Sequence, residues 1–448
     1  MSPADKAESF VTKSFLIDII TRDIGIMDAI LELVDNSLDR AVEVYKIDVT
    51  RSLTEEYNFT GDLRLPQPIT VNIHVSNNEF TIEDNCGGIT RVDLEHEVFI
   101  FGFPKEGSEY TGLSAFGIGM KRAFFKLGRM VELRTRTGQD ETAITWDIEE
   151  WMNRGDEDWD IPFSMIEDSR LHFNYELPGT IIRIGNLNSS VKTRFDQTEF
   201  MSTLKNRLRT SYALFLKSGI KIMLNGEELT HSLPSFFTSD EINYTSKYSR
   251  EKDVDIRMIV GITPIDDRMP RGWYVFCNGR MVLEGDKTHL TGWGTILPMF
   301  HPKFNHFLGF VSFSSFNVKA LPWSSTKWGV ELDSPVYMAA LEEMRLQAVP
   351  ILNILDRWKD IRDDDEPAVT ALRELLKEGQ TVSVFASARV ESRFAYKPKK
   401  DRPDVVRISF VKDRELVQRV KEALGNPRMN NSTVGGMVFD YYVESEMD

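Results

Sequence analysis

Cysteine is nearly absent from this chain, with two in 448 residues, Cys86 and Cys277. Two widely separated thiols cannot make a disulfide framework, and they fit a reducing cytosol. No apolar run approaches the ~20 residues that a membrane helix needs, so no membrane partner is expected. The stretch Met1–Ser14 is polar and mixed in charge, without the apolar core of a secretory leader. A cytoplasmic location is therefore expected. Basic charge is in deficit: 54 Lys and Arg against 69 Asp and Glu give a net charge of -15. That balance argues against indiscriminate coating of DNA while leaving room for a local basic groove. Histidine is scarce too, seven in all, and none lies in a helical phospho-acceptor box. The remainder is ordinary for a soluble globular protein, 41% apolar and 27% charged. The length suggests two or three domains, each large enough for a core.

One stretch organises what is present: Glu32-Leu33-Val34-Asp35-Asn36-Ser37-Leu38-Asp39. It lies in a helical run expected from near Ile24 to about Tyr45, in which Ile26, Ala29, Ile30, Leu33 and Val34 recur at three- and four-residue spacing. Glu32, Asn36 and Asp39 then share one polar stripe beside the apolar face. Two carboxylates and an amide on a half-buried face are costly unless something binds there, and a metal ion with a phosphate ligand would satisfy all three. A solvated helix face is the competing reading of this octet alone.

Three later stretches bear on that choice. Ile69, Val71, Ile73 and Val75 alternate with polar residues as a half-buried strand does. A turn at Ser76-Asn77-Asn78 leads to a returning strand ending in Asp84-Asn85-Cys86-Gly87-Gly88-Ile89. There a carboxylate stands beside backbone that another group can approach closely. Next, Gly117 and Gly119 open an apolar helix running to about Leu127, with Lys121 one turn in. Free N–H groups at a helix start with a lysine nearby describe a phosphate cradle, although a lone G-x-G also fits an ordinary loop–helix junction. Last comes Pro178-Gly179-Thr180-Ile181-Ile182-Arg183-Ile184, a strand with a threonine at its entrance.

In this order the four pieces resemble the nucleotide-binding signature of the GHKL superfamily, which includes gyrase B, heat-shock chaperones, histidine kinases and MutL. Within it the chain looks closest to bacterial MORC-like and MutL-like ATPases. The resemblance implies an α+β architecture: a Bergerat-fold α/β sandwich, with a mixed sheet covered by helices, over residues 1–194. An S5-like transducer would follow over 195–350, and a mostly helical region over 351–448.

The resemblance also implies ATP and Mg²⁺ as cofactors. Glu32 would be the general base, Asn36 the Mg²⁺ ligand, and Asp84 the acceptor for the adenine amino group, with Thr180 in support. Gly88, Gly117, Gly119, Met120 and Lys121 would line the nucleotide, with Lys121 adding charge at the phosphates. Asp39 would brace the nucleotide side of the helix and Asp35 the side behind. One departure stands out, since Cys86 replaces the usual glycine after Asp84-Asn85. Gly87 or Gly88 is expected to absorb the turn.

In the second region strand hairpins turn at Asn225-Gly226 and Asn278-Gly279-Arg280, and a loop Ala320–Lys327 precedes a helix starting near Pro335. In the families named above a lysine on such a loop reaches the γ-phosphate. Lys327 is the first choice and Lys319 the second, a solvated loop lysine being the alternative for either. Trp323 and Trp328 read as packing residues. Beyond an acidic break at Arg362–Pro367 come a short basic patch with Lys397, Lys399 and Lys400, a strand over Val405–Phe410, and helices over Asp413–Leu424 and Thr433–Glu444. That order loosely resembles a ribbon-helix-helix module and suggests oligomerisation or partner docking.

The implied function is an ATP-hydrolysing conformational switch that forms a homodimer on ATP binding. DNA or a co-encoded protein is the implied partner, and the family analogy extends to anti-phage or restriction roles. A chaperone-like ATPase acting on protein clients and a catalytically weak nucleotide-sensing module are the alternatives. A histidine kinase lacks its phospho-acceptor box here.

Overall fold

The computed structural model describes residues 11–55, 65–101, 118–155, 157–264, 269–324, 327–359, 379–396, 408 and 411–447. Gly117, the acidic break, the basic patch and nearly all of the strand expected at 405–410 lie outside the described residues. The architecture is α+β, with a large mixed sheet covered by helices.

Helix α1 (Lys13–Arg22) leads into α2 (Ile26–Tyr45). Of the apolar stripe of α2, Ala29, Ile30, Leu33 and Val34 are buried together with Leu38, while Ile26 is half-buried. They meet the inner face of an eight-stranded sheet. Its strands are β1 (Thr70–Val75), β2 (Phe80–Asp84), β3 (Gly128–Arg136), β4 (Glu141–Asp147), β5 (Phe163–Ser164), β6 (Gly179–Leu187), β7 (Lys221–Leu224) and β8 (Glu227–Glu228). The order is β5-β4-β3-β6-β2-β1-β7-β8. Alternation sets the faces: Val71, Ile73 and Val75 of β1 are buried while Asn72 and His74 point away. Helix α3 (Gly119–Leu127) packs beside α2 and runs directly into β3.

The sheet does not stop at the boundary expected near residue 194. Strand β7 lies parallel to β1, pairing Thr70 with Lys221 and Ile73 with Leu224. Asn225 at its end accepts from the Val75 amide at 2.8 Å. Ile222 and Leu224 are buried, so the β7–β8 hairpin completes the first sheet's edge. The helices Thr198–Ser211 and Ala213–Lys217 bring the chain to that edge.

A second, five-stranded sheet follows, formed by β10 (Thr245–Glu251), β11 (Val254–Ile262), β12 (Gly272–Cys277), β13 (Arg280–Asp286) and β14 (Phe307–Ser314). Its order is β10-β11-β14-β12-β13, with β12 and β14 parallel. The helix Pro335–Lys359 packs on it. Strand β9 (Ser235–Thr238) pairs with β15 (Gln380–Ser383), tying a late segment to the middle of the chain. Two helices, Arg414–Ala423 and Asn431–Glu446, close the described chain. No helix among the described residues is long and apolar enough to cross a membrane.

Candidate nucleotide site

Asp84 ends β2 opposite Thr180 of β6, and the antiparallel register pairs the two residues. The carboxylate is buried. Ser37 Oγ donates to its Oδ2 at 2.7 Å, while the amides of Cys86 and Thr180 donate to Oδ1 at 2.9 and 3.3 Å. Burial raises the Asp84 pKa, and these three donors act against that rise. The Thr180 hydroxyl lies 3.1 Å from that of Thr135 on β3, whose oxygen also accepts from the Ile89 amide at 2.7 Å. Strands β2, β3 and β6 thus converge on one buried carboxylate.

The turn after Asp84 is absorbed by glycine. Gly87 and Gly88 take φ of 108° and 70°, whereas Cys86 is not among the residues with positive φ. A Cβ on Gly88 would lie 2.1 Å from the Arg136 carbonyl oxygen, so only glycine fits there. Cys86 is fully buried; burial first, then the Asp84 charge, push its thiol well above the ordinary value. It is a protonated packing residue here.

Glu32 is the second focus, one turn before Asn36 on α2 and buried. Arg122 of α3 donates to its Oε1 at 2.5 Å, and Lys327 Nζ lies 3.3 Å from Oε2. Gly119 stands at the start of α3 so close that a Cβ would fall 2.2 Å from Glu32 Oε2. The bare glycine therefore lets the helix start approach the carboxylate. Lys327 also donates to Asp35 Oδ2 at 3.0 Å, and Asp35 Oδ1 accepts from Arg280 Nε at 2.9 Å and the Tyr212 hydroxyl at 2.7 Å. Burial alone would raise the Asp35 pKa, but Lys327 and then Arg280 pull it below the carboxylate norm. The Lys327 ammonium opposes its own burial with Asp35 first and Glu32 next, and its pKa is raised.

The remaining expected residues divide. Asn36 and Asp39 are half-buried on successive turns of α2, on the stripe Glu32 begins, and Met120 is half-buried beside Gly119. Of the two candidate lysines, Lys327 reaches the acidic helix, while Lys319 is exposed. Lys121 departs from its expected place. Its Nζ donates to the carbonyls of Val98 at 2.8 Å and Ile100 at 2.6 Å and lies 5.6 Å from the centre of the Phe101 ring. Burial pulls it down to about 8. On this geometry Lys121 ties α3 to the segment after β2, and its charge is turned to those carbonyls.

Four residues at the site carry no role in the sequence reading: Ser37, Arg122, Tyr212 and Arg280. Ser37 lies in the organising octet and Arg122 directly follows Lys121, so helical spacing from Glu32 and Gly119 could have raised both. Tyr212 and Arg280 arrive from elements far along the chain, and local pattern gives no signal for them.

Comparison with protein families bears on this arrangement. Residues 24–174 match the family described as "Histidine kinase-, DNA gyrase B-, and HSP90-like ATPase". That stretch belongs to the GHKL superfamily. The GHKL match covers α2, the Asp84 turn and the glycine start of α3, and it ends before β6. Among curated proteins none matches the chain.

Proposed function

We propose that the chain is an ATP-driven conformational switch, binding ATP with Mg²⁺ between α2 and the start of α3 and hydrolysing it. The observation that carries this reading is the position of Glu32, whose Oε2 lies against both the bare Gly119 backbone and the Lys327 ammonium. A carboxylate at a bare helix start, with a buried ammonium alongside, is an arrangement for a water and an incoming phosphoryl group.

The residues fit the cofactors. A Cβ at Gly119 would block the approach to Glu32, as expected where phosphate must come close to backbone. Among the described residues no three His, Cys, Asp or Glu side chains gather to hold a metal. The donor set is instead one amide oxygen from Asn36 plus phosphate oxygens, hard ligands of the kind Mg²⁺ takes. When bound, the ion neutralises charge on the phosphates.

The chain's own groups would do the rest. Glu32 orients and deprotonates the attacking water, with Arg122 fixing the carboxylate through Oε1. Lys327 brings positive charge to the γ-phosphoryl position. Asp84 accepts from the adenine amino group through Oδ2, where Ser37 already orients it, and Thr180 steadies that contact. The first N–H groups of α3, which have no partners within the helix, serve the phosphates with Gly119 and Met120. Gly117 is assigned the same role from sequence. Gly88 admits the base, and Asp39 braces the nucleotide side of α2.

The second sheet and its loop form the transducer in this reading. Support comes from Arg280 and Lys327, which carry two of its cations into the acidic helix. Pairing of two copies on ATP binding is supported by Val11, Phe15 and Ile19, which leave an exposed apolar stripe at four-residue spacing on and just before α1. Action on DNA or on a co-encoded protein, including a defence role, extends the family analogy. Titration with a fluorescent ATP analogue tests the core. Saturable, Mg²⁺-dependent binding that is weakened in Asp84→Asn is expected; no binding at millimolar nucleotide would sink the proposal. Stimulation of turnover by duplex DNA would favour a DNA clamp over a chaperone.

A further inference from the structure

The loop that delivers Lys327 is held from outside the acidic helix. Lys327 takes φ of 57°, a left-handed conformation that a residue with a Cβ adopts only when its surroundings impose it. Its amide donates to the Ser324 carbonyl at 2.9 Å, and the Ser324 amide in turn donates to the Gly329 carbonyl at 3.0 Å. The next residue, Trp328, has two guanidinium groups close to its indole ring. Arg207 lies 3.5 Å from the ring centre and Arg280 lies 4.4 Å from it. Arg280 also lies 4.9 Å from the Tyr212 ring, donates to the Met281 carbonyl at 2.8 Å, and reaches Asp35 Oδ1.

Two cations stacked on one indole repel each other, and the ring's electron-rich faces compensate only while both guanidiniums stay over it. The stack is also directional. Arg207 comes from the helix Thr198–Ser211, Arg280 from the start of β13, and the column ends on Asp35, the carboxylate that Lys327 contacts. A shift of the indole would remove one of the two aromatic rings beside Arg280, the residue paired with Asp35. We infer that Trp328, held by its contacts with Arg207 and Arg280, is the positioning residue that sets Lys327 against Glu32 and Asp35. Trp328 itself touches no reacting group. Its part in turnover rests on the ATPase reading, whereas its part in seating Lys327 does not.

The test uses the full-length protein with Trp328→Ala, Trp328→Phe and Lys327→Ala. Displacing a charge-bearing group by about an ångström costs on the order of 10²-fold in rate. Trp328→Ala should therefore lose about that factor in kcat, approaching Lys327→Ala, with KM close to wild type. Trp328→Phe, which keeps an aromatic ring beside the guanidiniums, should recover most of the loss. In parallel, pulse labelling with acetic anhydride and peptide mass spectrometry reads amine exposure without nucleotide. Lys327, 3% exposed, should be protected in wild type and labelled several-fold faster in Trp328→Ala. Lys13, 1% exposed on α1, should stay protected in both and so reports an intact fold. Wild-type protection of Lys327 in Trp328→Ala overturns the inference, whatever happens to kcat. A wild-type protein that does not hydrolyse ATP defeats the ATPase reading alone, and the labelling still decides the clamp.

Discussion

Lys327 Nζ lies 3.0 Å from Asp35 Oδ2 and 3.3 Å from Glu32 Oε2, across separations of 292 and 295 residues. All three side chains are buried, and Arg122 and Arg280 complete the cluster from two further elements. Buried ions are costly to desolvate, and a group of this kind persists only when each charge keeps its partners. The cluster is therefore a joint between the first sheet's helix and the second sheet's loop. It also makes both sensitive to single substitutions.

Asp35→Asn leaves Arg280 and Lys327 with a neutral partner, and breaking a buried pair of this kind costs about 3–5 kcal/mol. The pH dependence follows from the lowered Asp35 pKa, for which burial works upward while Lys327 and Arg280 work downward. A depressed carboxylate contributes stability that is present above the unfolded value near 3.8 and is lost as pH falls through the folded value. Urea midpoints should separate wild type and variant widely near neutrality and draw together in strong acid. An unchanged gap at low pH would contradict the assignment.

Gly119→Ala puts a methyl group where Glu32 Oε2 stands, 2.2 Å from the carboxylate oxygen. The carboxylate must move or α3 must shift, and overpacking of this kind costs about 1–3 kcal/mol. Turnover should fall further than stability alone explains, because the displaced group is the proposed base. Retained wild-type kcat would show that Glu32 needs no close helix start.

Ser37→Ala removes a hydroxyl that donates to a buried carboxylate, at a cost of about 1–3 kcal/mol. Isothermal titration should find weaker ATP binding than wild type, with the discrimination between ATP and GTP reduced. Unaltered affinity and selectivity would separate Asp84 from base recognition.

Lys121 offers a second pH test. Burial holds its ammonium at about 8, below the ordinary 10.5. The unfolded chain then binds the proton more tightly between those two values, so stability gains as pH rises across that window. Below it the penalty is present in full. Lys121→Met lacks this titration, so wild type should gain on the variant between about pH 8 and pH 10 in thermal melts. Parallel curves for the two would mean that the amine is solvated.

Much of this was legible in the sequence, for reasons that differ by residue. The 3.6-residue rhythm around Glu32 and the alternation of Ile69 to Val75 are local, and α2 and β1 form where those patterns lie. Gly87 and Gly88 announced a turn that only they can make. For Lys121, helical spacing gives its position on α3 without saying that the Val98 and Ile100 carbonyls approach it. Strand β7 was assigned to the second region because its partner, β1, lies far back in sequence. Arg280 looked like a turn residue in an Asn-Gly hairpin, and only the approach of β13 to α2 brings it to Asp35. Contacts that a three-dimensional closure creates leave no periodic trace.

Glu32 as the base of an ATP hydrolysis is the central claim. Phosphate release and nucleotide binding should be measured side by side for wild type and Glu32→Ala. Release should drop on the order of 10²–10⁴-fold while bound ATP persists at near wild-type affinity. Equal phosphate release from the two proteins, or a wild type that holds no ATP, would contradict it.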